Sequence, residues 1–255
     1  MPYSFLMEGN PHWETEIMKY SLPYTTRWHD TDATRRVRPS QLLVYMQETS
    51  NQHVASIGMP LDELRDKKCL AFILSRLRFV IHKPLYAFED ITVETFTTPG
   101  RGYSSCRAFR ILRGEEIIAE ADSTWALVNT ETGALCRPEE SGYPFENEEA
   151  PEISMPNRIR FPSDVTPEEI GTRRIVYSDL DYNMHMNNTR YPDMLCDFLP
   201  AEDVERVCGM TLSYLHEATF GHTLRILRAK KDDCYFFRTV DGDGTACLEA
   251  QIQLK

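Results

Sequence analysis

One string of residues occurs twice in this chain. From Ser178 it reads SDLDYNMHMNNTRY, and from His29 it reads HDTDATRRVRPSQL. Laid over each other, Asp30 falls on Asp179, Asp32 on Asp181, Thr34 on Asn183 and Arg36 on His185. Both copies follow a β-rich stretch and precede a helix-like pattern. A unit duplicated with its flanking pattern restricts the chain to a fold of two like halves. Only the second copy keeps a carboxylate, an amide and an imidazole together, so two like domains and one active site are expected.

The flanking pattern is the same in each half. Tyr20–Trp28 is rich in Thr and aromatic residues and reads as a strand. Pro39 suits the first turn of a helix, where its missing N–H is not needed. Leu42, Leu43, Met46, Val54 and Ile57 then fall mostly on one helical face, and Gly58 can end the helix. Strands are predicted over Leu70–Ile81, Ile91–Thr98, Tyr103–Leu112 and Glu116–Asn129, with turns at Arg113-Gly114 and Asn129–Gly133. In the second half, a strand over Thr172–Ser178 precedes a helix with Asn188 as N-cap and Tyr191, Met194, Leu195, Phe198 and Leu199 on one face. Pro192 can shift its start or bend it. Strands follow near Glu205–Glu217, His222–Ala229, Cys234–Asp241 and Thr245–Leu254, with a hairpin turn at Asp241–Gly244. Between the halves, prolines at 138, 144, 151, 156, 162 and 167 alternate with acidic residues, which reads as a linker. Residues 1–16 read as an irregular lead-in.

A long helix followed by antiparallel strands, twice over, suggests that each sheet wraps around its own helix. The two sheets then pair edge to edge as a fused pseudo-dimer. The expected division is 1–137, a linker over 138–171, and 172–255.

The net charge is −11, which argues against nucleic acid as a partner. An acidic partner would need a local basic patch. No apolar run is long enough to span a membrane, and the N-terminus lacks a basic region followed by an apolar block, so a cytoplasmic protein is expected. The seven cysteines show no C-x-x-C and no regular spacing, which points to reduced thiols and to no metal site.

The segment DLDYNMHMNNTRY resembles the catalytic segment of the acyl-acyl-carrier-protein (acyl-ACP) thioesterases. The helix LLVYMQETSNQHV, the stretch FILSRLRFVIHKPLYAFEDITVETF and the strand STWALVNTETGAL resemble further segments of that family, in the same order. The resemblance covers roughly residues 20–255. It implies an α+β fold of two tandem hotdog domains, each an antiparallel sheet wrapped around a central helix. It implies that the N-terminal hotdog mainly shapes the acyl-chain pocket and that the C-terminal one carries catalysis. It also implies acyl carrier protein as partner, through its phosphopantetheine arm, a fatty acyl chain as substrate, and a role in ending fatty-acid synthesis. No cofactor is implied. One departure stands out: where the family often has Y-x-x-E-C, this chain reads Tyr214-Leu215-His216-Glu217-Ala218. A thiol nucleophile is therefore missing at that place, and Cys196 and Cys208 do not match it.

Thioester hydrolysis needs an activated water, a stabilised oxyanion and a held acyl chain. The expected catalytic residues are Asp181, Asn183, His185 and Glu217. Glu217 and His185 orient and deprotonate water. Asn183 positions the water or the thioester, and Asp181 holds the loop. A backbone N–H near Asn187–Thr189 is the expected oxyanion donor. Asn187 and Asn188 are expected to brace the backbone and contact substrate. Glu48 is a minor candidate, read by preference as a buried polar residue bonded to the other half. Trp125 and Phe72 are read as core or pocket wall. Arg35, Arg36, Arg38, Arg173 and Arg174 are solvated cations or docking points for an acidic carrier. An acyl-CoA thioesterase and a non-catalytic acyl- or carrier-binding protein stay open as alternatives. Chain length and oligomeric state, monomer or homodimer, are not legible.

Overall fold

The structure is a computed structural model that describes residues 19–58, 60–143 and 147–255; the expected lead-in over 1–16 lies outside the described residues. The first half contributes β1 (Lys19–Thr25), α1 (Pro39–Ser56), α2 (Leu61–Lys68), β2 (Leu70–Ile81), β3 (Asp90–Thr98), β4 (Ser104–Arg113), β5 (Glu116–Asn129) and β6 (Leu135–Cys136). The second half contributes β7 (Glu168–Arg174), α3 (Tyr191–Cys196), α4 (Ala201–Val204), β8 (Val207–Tyr214), β9 (Thr223–Lys231), β10 (Cys234–Val240) and β11 (Ala246–Leu254).

All strands join one antiparallel sheet of eleven, in the order β1-β3-β4-β5-β2-β8-β11-β10-β9-β7, with β6 on β5. The halves meet where β2 pairs β8, from Arg76 opposite Ser213 to Val80 opposite Gly209. This is the edge-to-edge fusion of two hotdogs. It leaves no exposed edge at the seam.

α1 presents Leu42, Leu43, Tyr45, Met46, Thr49, His53 and Val54 to the interior. Period 3.6 brings these onto one side, and the curved sheet closes over them. Its buried polar groups are partnered. The Tyr45 hydroxyl donates to Asp30 at 2.6 Å, and the Thr49 and Tyr24 hydroxyls lie 3.1 Å apart. A β-bulge at Ser75 adds one residue to β2, so Leu74 and Leu77 both face the helix side. One core cluster runs through both halves, from Leu42 and Phe79 to Phe237 and Ile252.

Three expectations are corrected. The second half has no long helix: α3 spans only Tyr191–Cys196, and the chain restarts as α4 after Pro200. Pro192 occupies the first turn of α3, where it is tolerated, and Pro200 precedes the next start. The acidic α2 start, with Asp62 and Glu63 ahead of Arg65, Lys67 and Lys68, went unread as a helix; that charge order favours one. The segment 138–171 is more than a linker. β7 begins within it at Glu168, and Ile153 and Met155 are buried against Val80. Arg78 Nη1 donates to Met155 O at 2.7 Å and Thr211 Oγ1 to Pro156 O at 2.9 Å. Arg78 and Thr211 stand opposite each other across the seam, so the segment is a strap clamped over the junction. Gly209 leaves room for it. A Cβ there would meet Met155 Sδ at 2.9 Å and Phe79 O at 3.0 Å.

Candidate active site

The duplicated motif folds twice into the same loop. A 3₁₀ turn (Trp28–Asp30 in one copy, Tyr177–Asp179 in the other) leads into it. Asp32 N donates to Arg36 O at 2.9 Å, as Asp181 N donates to His185 O at 2.9 Å. Arg35 N bonds Asp32 O and Met184 N bonds Asp181 O. Arg35 and Met184 are left-handed, at φ 67° and 65°. Side chains of this size pay for such a conformation, and both loops hold it by the same hydrogen bonds.

In the second copy these bonds position the candidate residues. Asp181 Oδ1 accepts from Asn183 N at 2.8 Å and from His185 N at 3.3 Å. Asp181 therefore acts on the loop's main chain. Met186 N donates to Ala218 O, and His185 pairs with Thr219 in an isolated bridge, which draws the loop carrying Glu217 alongside. His185 Nε2 then lies 3.1 Å from Glu217 Oε2, with Glu217 about half exposed. Water reaches this pair.

Asn183 Oδ1 accepts from Arg65 Nη1 at 2.6 Å. That fixes which side of the amide is occupied and leaves Nδ2 as donor. Arg65 sits on α2 of the other half and stacks 5.8 Å from the Tyr182 ring centre. Sequence reading missed Arg65 because it missed α2; the charge order along that segment was the available signal. α2 is anchored by Leu64, fully buried with Leu70 and Leu127.

Asn187, not Asn188, is the capping residue: its Oδ1 accepts from Thr189 N at 2.9 Å and Thr189 Oγ1 at 2.8 Å. Asn188 instead offers its carbonyl to the Tyr214 hydroxyl at 3.1 Å. Asn188 and Thr189 also bound a narrow cavity of about 20 Å³, whose walls are Leu43, Met46 and Gln47 of α1 with Leu74, Leu77, Phe109 and Trp125 of the sheet. The Trp125 indole N–H is satisfied by Ser123 Oγ at 2.8 Å, so its apolar face lines the cavity without an unpaired donor.

Glu48 does not join the site. It is exposed and accepts from Gln52 Nε2, one turn along its own helix, at 2.8 Å. Tyr45, Thr49 and His53 take the inward positions, which turns Glu48 outward. The polar α1 residue at the cavity is Gln47. Ala218 is buried in the core cluster. Burial raises the Cys196 thiol to about 12, with Asp193 and Asp197 adding to it, and burial also raises Cys208. Neither is an activated nucleophile. The arginines divide: Arg173 Nη2 donates to the buried Asp179 at 2.7 Å, while Arg36 and Arg38 line a cavity at the first copy of the loop. Among the described residues no group of three metal-ligating side chains gathers, and no helix is long and apolar enough to cross a membrane.

Comparison with known proteins matches this architecture along the chain. Family models for the acyl-ACP thioesterase N-terminal and C-terminal domains match residues 18–141 and 164–253. A chloroplastic acyl-[acyl-carrier-protein] hydrolase of Cuphea viscosissima is 25% identical over 76% of this chain and 50% of its own length. A chloroplastic palmitoyl-acyl carrier protein thioesterase of Arabidopsis thaliana is 25% identical over 81% of this chain and 54% of its own. The chain thus spans about half the length of these relatives. Among solved structures, an acyl-ACP thioesterase of Bacteroides thetaiotaomicron superposes with a TM-score of 0.85 at 20% identity, over 95% of this chain and 99% of that one. The 12:0-ACP thioesterase of Umbellularia californica superposes with 0.82 at 21% identity, over 93% and 97%. The chain belongs to the acyl-ACP thioesterase family.

Proposed function

We propose that the protein hydrolyses the thioester of a fatty acyl chain carried on acyl carrier protein and releases the free fatty acid. The observation that carries this reading is the His185–Glu217 pair, 3.1 Å apart, held by a loop whose next residues bound an apolar cavity. Glu217 takes a proton from water while the His185 N–H holds the carboxylate in place. The resulting hydroxide adds to the carbonyl carbon. The Asn187 and Thr189 amides are taken up by Asp179 O and Asn187 Oδ1, which leaves the Asn188 N–H, with Asn183 Nδ2, to meet the oxyanion. Collapse expels the pantetheine thiolate, which takes the proton back from Glu217. No covalent acyl-enzyme is required, in keeping with Ala218.

On this reading the first half holds the acyl chain between α1 and the sheet, and the second half supplies the chemistry. Tail entry then needs the narrow cavity to widen by movement of Met46 or Leu77.

Thiol release from matched acyl-carrier-protein and acyl-CoA substrates tests the proposal. Faster release from the carrier protein is expected. His185→Gln and Glu217→Gln should each lower kcat by about 10²–10⁴-fold, the usual worth of general acid–base catalysis. Equal release from CoA would remove the carrier from the reading, and full turnover in both variants would remove the site.

A further inference from the structure

A cavity of about 650 Å³ opens at the worn copy of the loop, against about 20 Å³ beside Asn188 and Thr189. Its size falls in the range of small-molecule pockets. Leu42, Ile81, Leu85, Ile118, Ala119 and Val207 give it an apolar wall. Loss of catalysis alone supplies no reason to keep such a space open, because interiors otherwise close to crystal-like density.

The worn copy differs from the active one in a consistent direction. Arg36 stands where His185 stands. Val37 N donates to Leu85 O as Met186 N donates to Ala218 O, which puts Pro84 in the place of Glu217. A base and a carboxylate have gone, and a permanent cation has come in. A guanidinium does not pass protons at neutral pH, but its planar fork fits a carboxylate. Among the described residues Arg36 makes one side-chain hydrogen bond, from Nη1 to the Glu205 carbonyl in the other half. That bond fixes the head at the cavity and leaves its remaining donors unused.

Arg38, Lys83, Arg206 and Lys255 also line the cavity, with Asp32, Asp193, Asp197 and Glu205. Asp32 Oδ1 accepts from Thr34 N and Thr34 Oγ1, and Arg38 is 3.9 Å from Asp193. Lys83 is paired with Glu116 and Arg206 with Asp203 and Asp233, so the anion contact of this lining falls to Arg36, and one guanidinium suits a monoanion better than a phosphate-bearing ligand.

We propose that this cavity is a second, non-hydrolytic site for a free long-chain fatty acid, its carboxylate on Arg36 and its tail along Leu42, Ile81 and Ile118. The proposal rests on the hydrolytic reading only in that the ligand is that reaction's product. α1 lines both cavities, with Leu42 here and Leu43 and Met46 at the other, so a bound acid touches the helix that bounds the active-site cavity.

The test is titration of the full chain with hexadecanoate carrying carbon-13 at its carboxyl, followed by NMR. Arg36→Gln should weaken binding by about tenfold or more, and Arg36→Lys by less. Ala119→Phe, which fills the apolar wall with Arg36 intact, should also weaken it. Hexadecan-1-ol should compete at least about tenfold less well than the acid. Binding unchanged in both Arg36→Gln and Ala119→Phe would overturn the proposal, as would equal competition by the alcohol. Thioester hydrolysis by the unaltered chain is a separate assay. Its absence together with Arg36-dependent binding would remove the hydrolytic reading and keep this site.

Discussion

The two copies of the loop allow Asp181 to be tested against an internal control. In Asp181→Ala, the amides of Asn183 and His185 lose an acceptor at 2.8 and 3.3 Å. In Asp32→Ala, Thr34 N and Oγ1 lose one at 2.8 and 2.6 Å. Hydrogen bonds to a charged group contribute about 1.5–3 kcal/mol each, and both loops are half-buried, so water recovers part of the loss. A net cost of about 2 kcal/mol is expected at each position. In a chain of this size that lowers Tm by about 4–8 °C. The consequence for turnover differs. On the proposed mechanism, only Asp181 orders the backbone of a residue that touches the reaction. If the 2 kcal/mol is spent on holding His185 in register, kcat falls by about 30-fold in Asp181→Ala. In Asp32→Ala it stays within about threefold, since that copy lacks both imidazole and carboxylate. Calorimetry and a thiol-release assay on the two variants decide it. Equal turnover in both, or a loss in Asp32→Ala matching that in Asp181→Ala, would refute the assignment of one working loop and one worn loop.

Further outcomes follow from the same geometry. Leu64→Ala should cost about 2–5 kcal/mol in urea unfolding, as buried leucine truncations do, and Arg65→Met, which frees Asn183, should lower kcat more than it lowers stability. Gly209→Ala should lower Tm through the clash with Met155 and Phe79 O, and Met155→Ala in the same chain should recover part of it. Leu77→Ala should widen the cavity beside Trp125 and shift preference to longer acyl chains, by about 1–3 kcal/mol per methylene accommodated, read from kcat/KM across a chain-length series. Asp203 tests acid stability. Hydrogen bonds from Tyr235, then Lys230, with Arg206 adding to them, hold its carboxyl at about 2, below its unfolded value of about 3.9. The stabilisation is therefore complete above about pH 4 and is lost as pH falls toward 2. The stability gap between the protein and Asp203→Asn should be wide at pH 5 and should narrow by pH 3. A gap independent of pH would show that the charge of Asp203 contributes nothing.

Much of this protein was legible in its residues because the relevant physics is local. Period-3.6 spacing from Leu42 to Val54 fixed a buried helix, and alternating strands with Gly-centred turns fixed the sheet. The repeat fixed two halves. His185 stood out because the motif around it survives in only one copy. Other features depended on contacts between residues far apart in the chain. Pairing of β2 with β8 decided which residues lie at the seam, and only then do Arg78 and Thr211 become clamps on the strap around Met155. Glu48 looked inward from its motif, but helix rotation against the sheet gave the inward positions to Tyr45, Thr49 and His53. Arg65 reaches Asn183 across the interface of the two halves, 118 residues apart. The cavity at Arg36 has no sequence signature, because a volume is the space that two packed halves leave between them. Local sequence sets which side chains prefer which backbone. Where those side chains meet is set by closure of the sheet, which satisfies strand edges and apolar faces all at once.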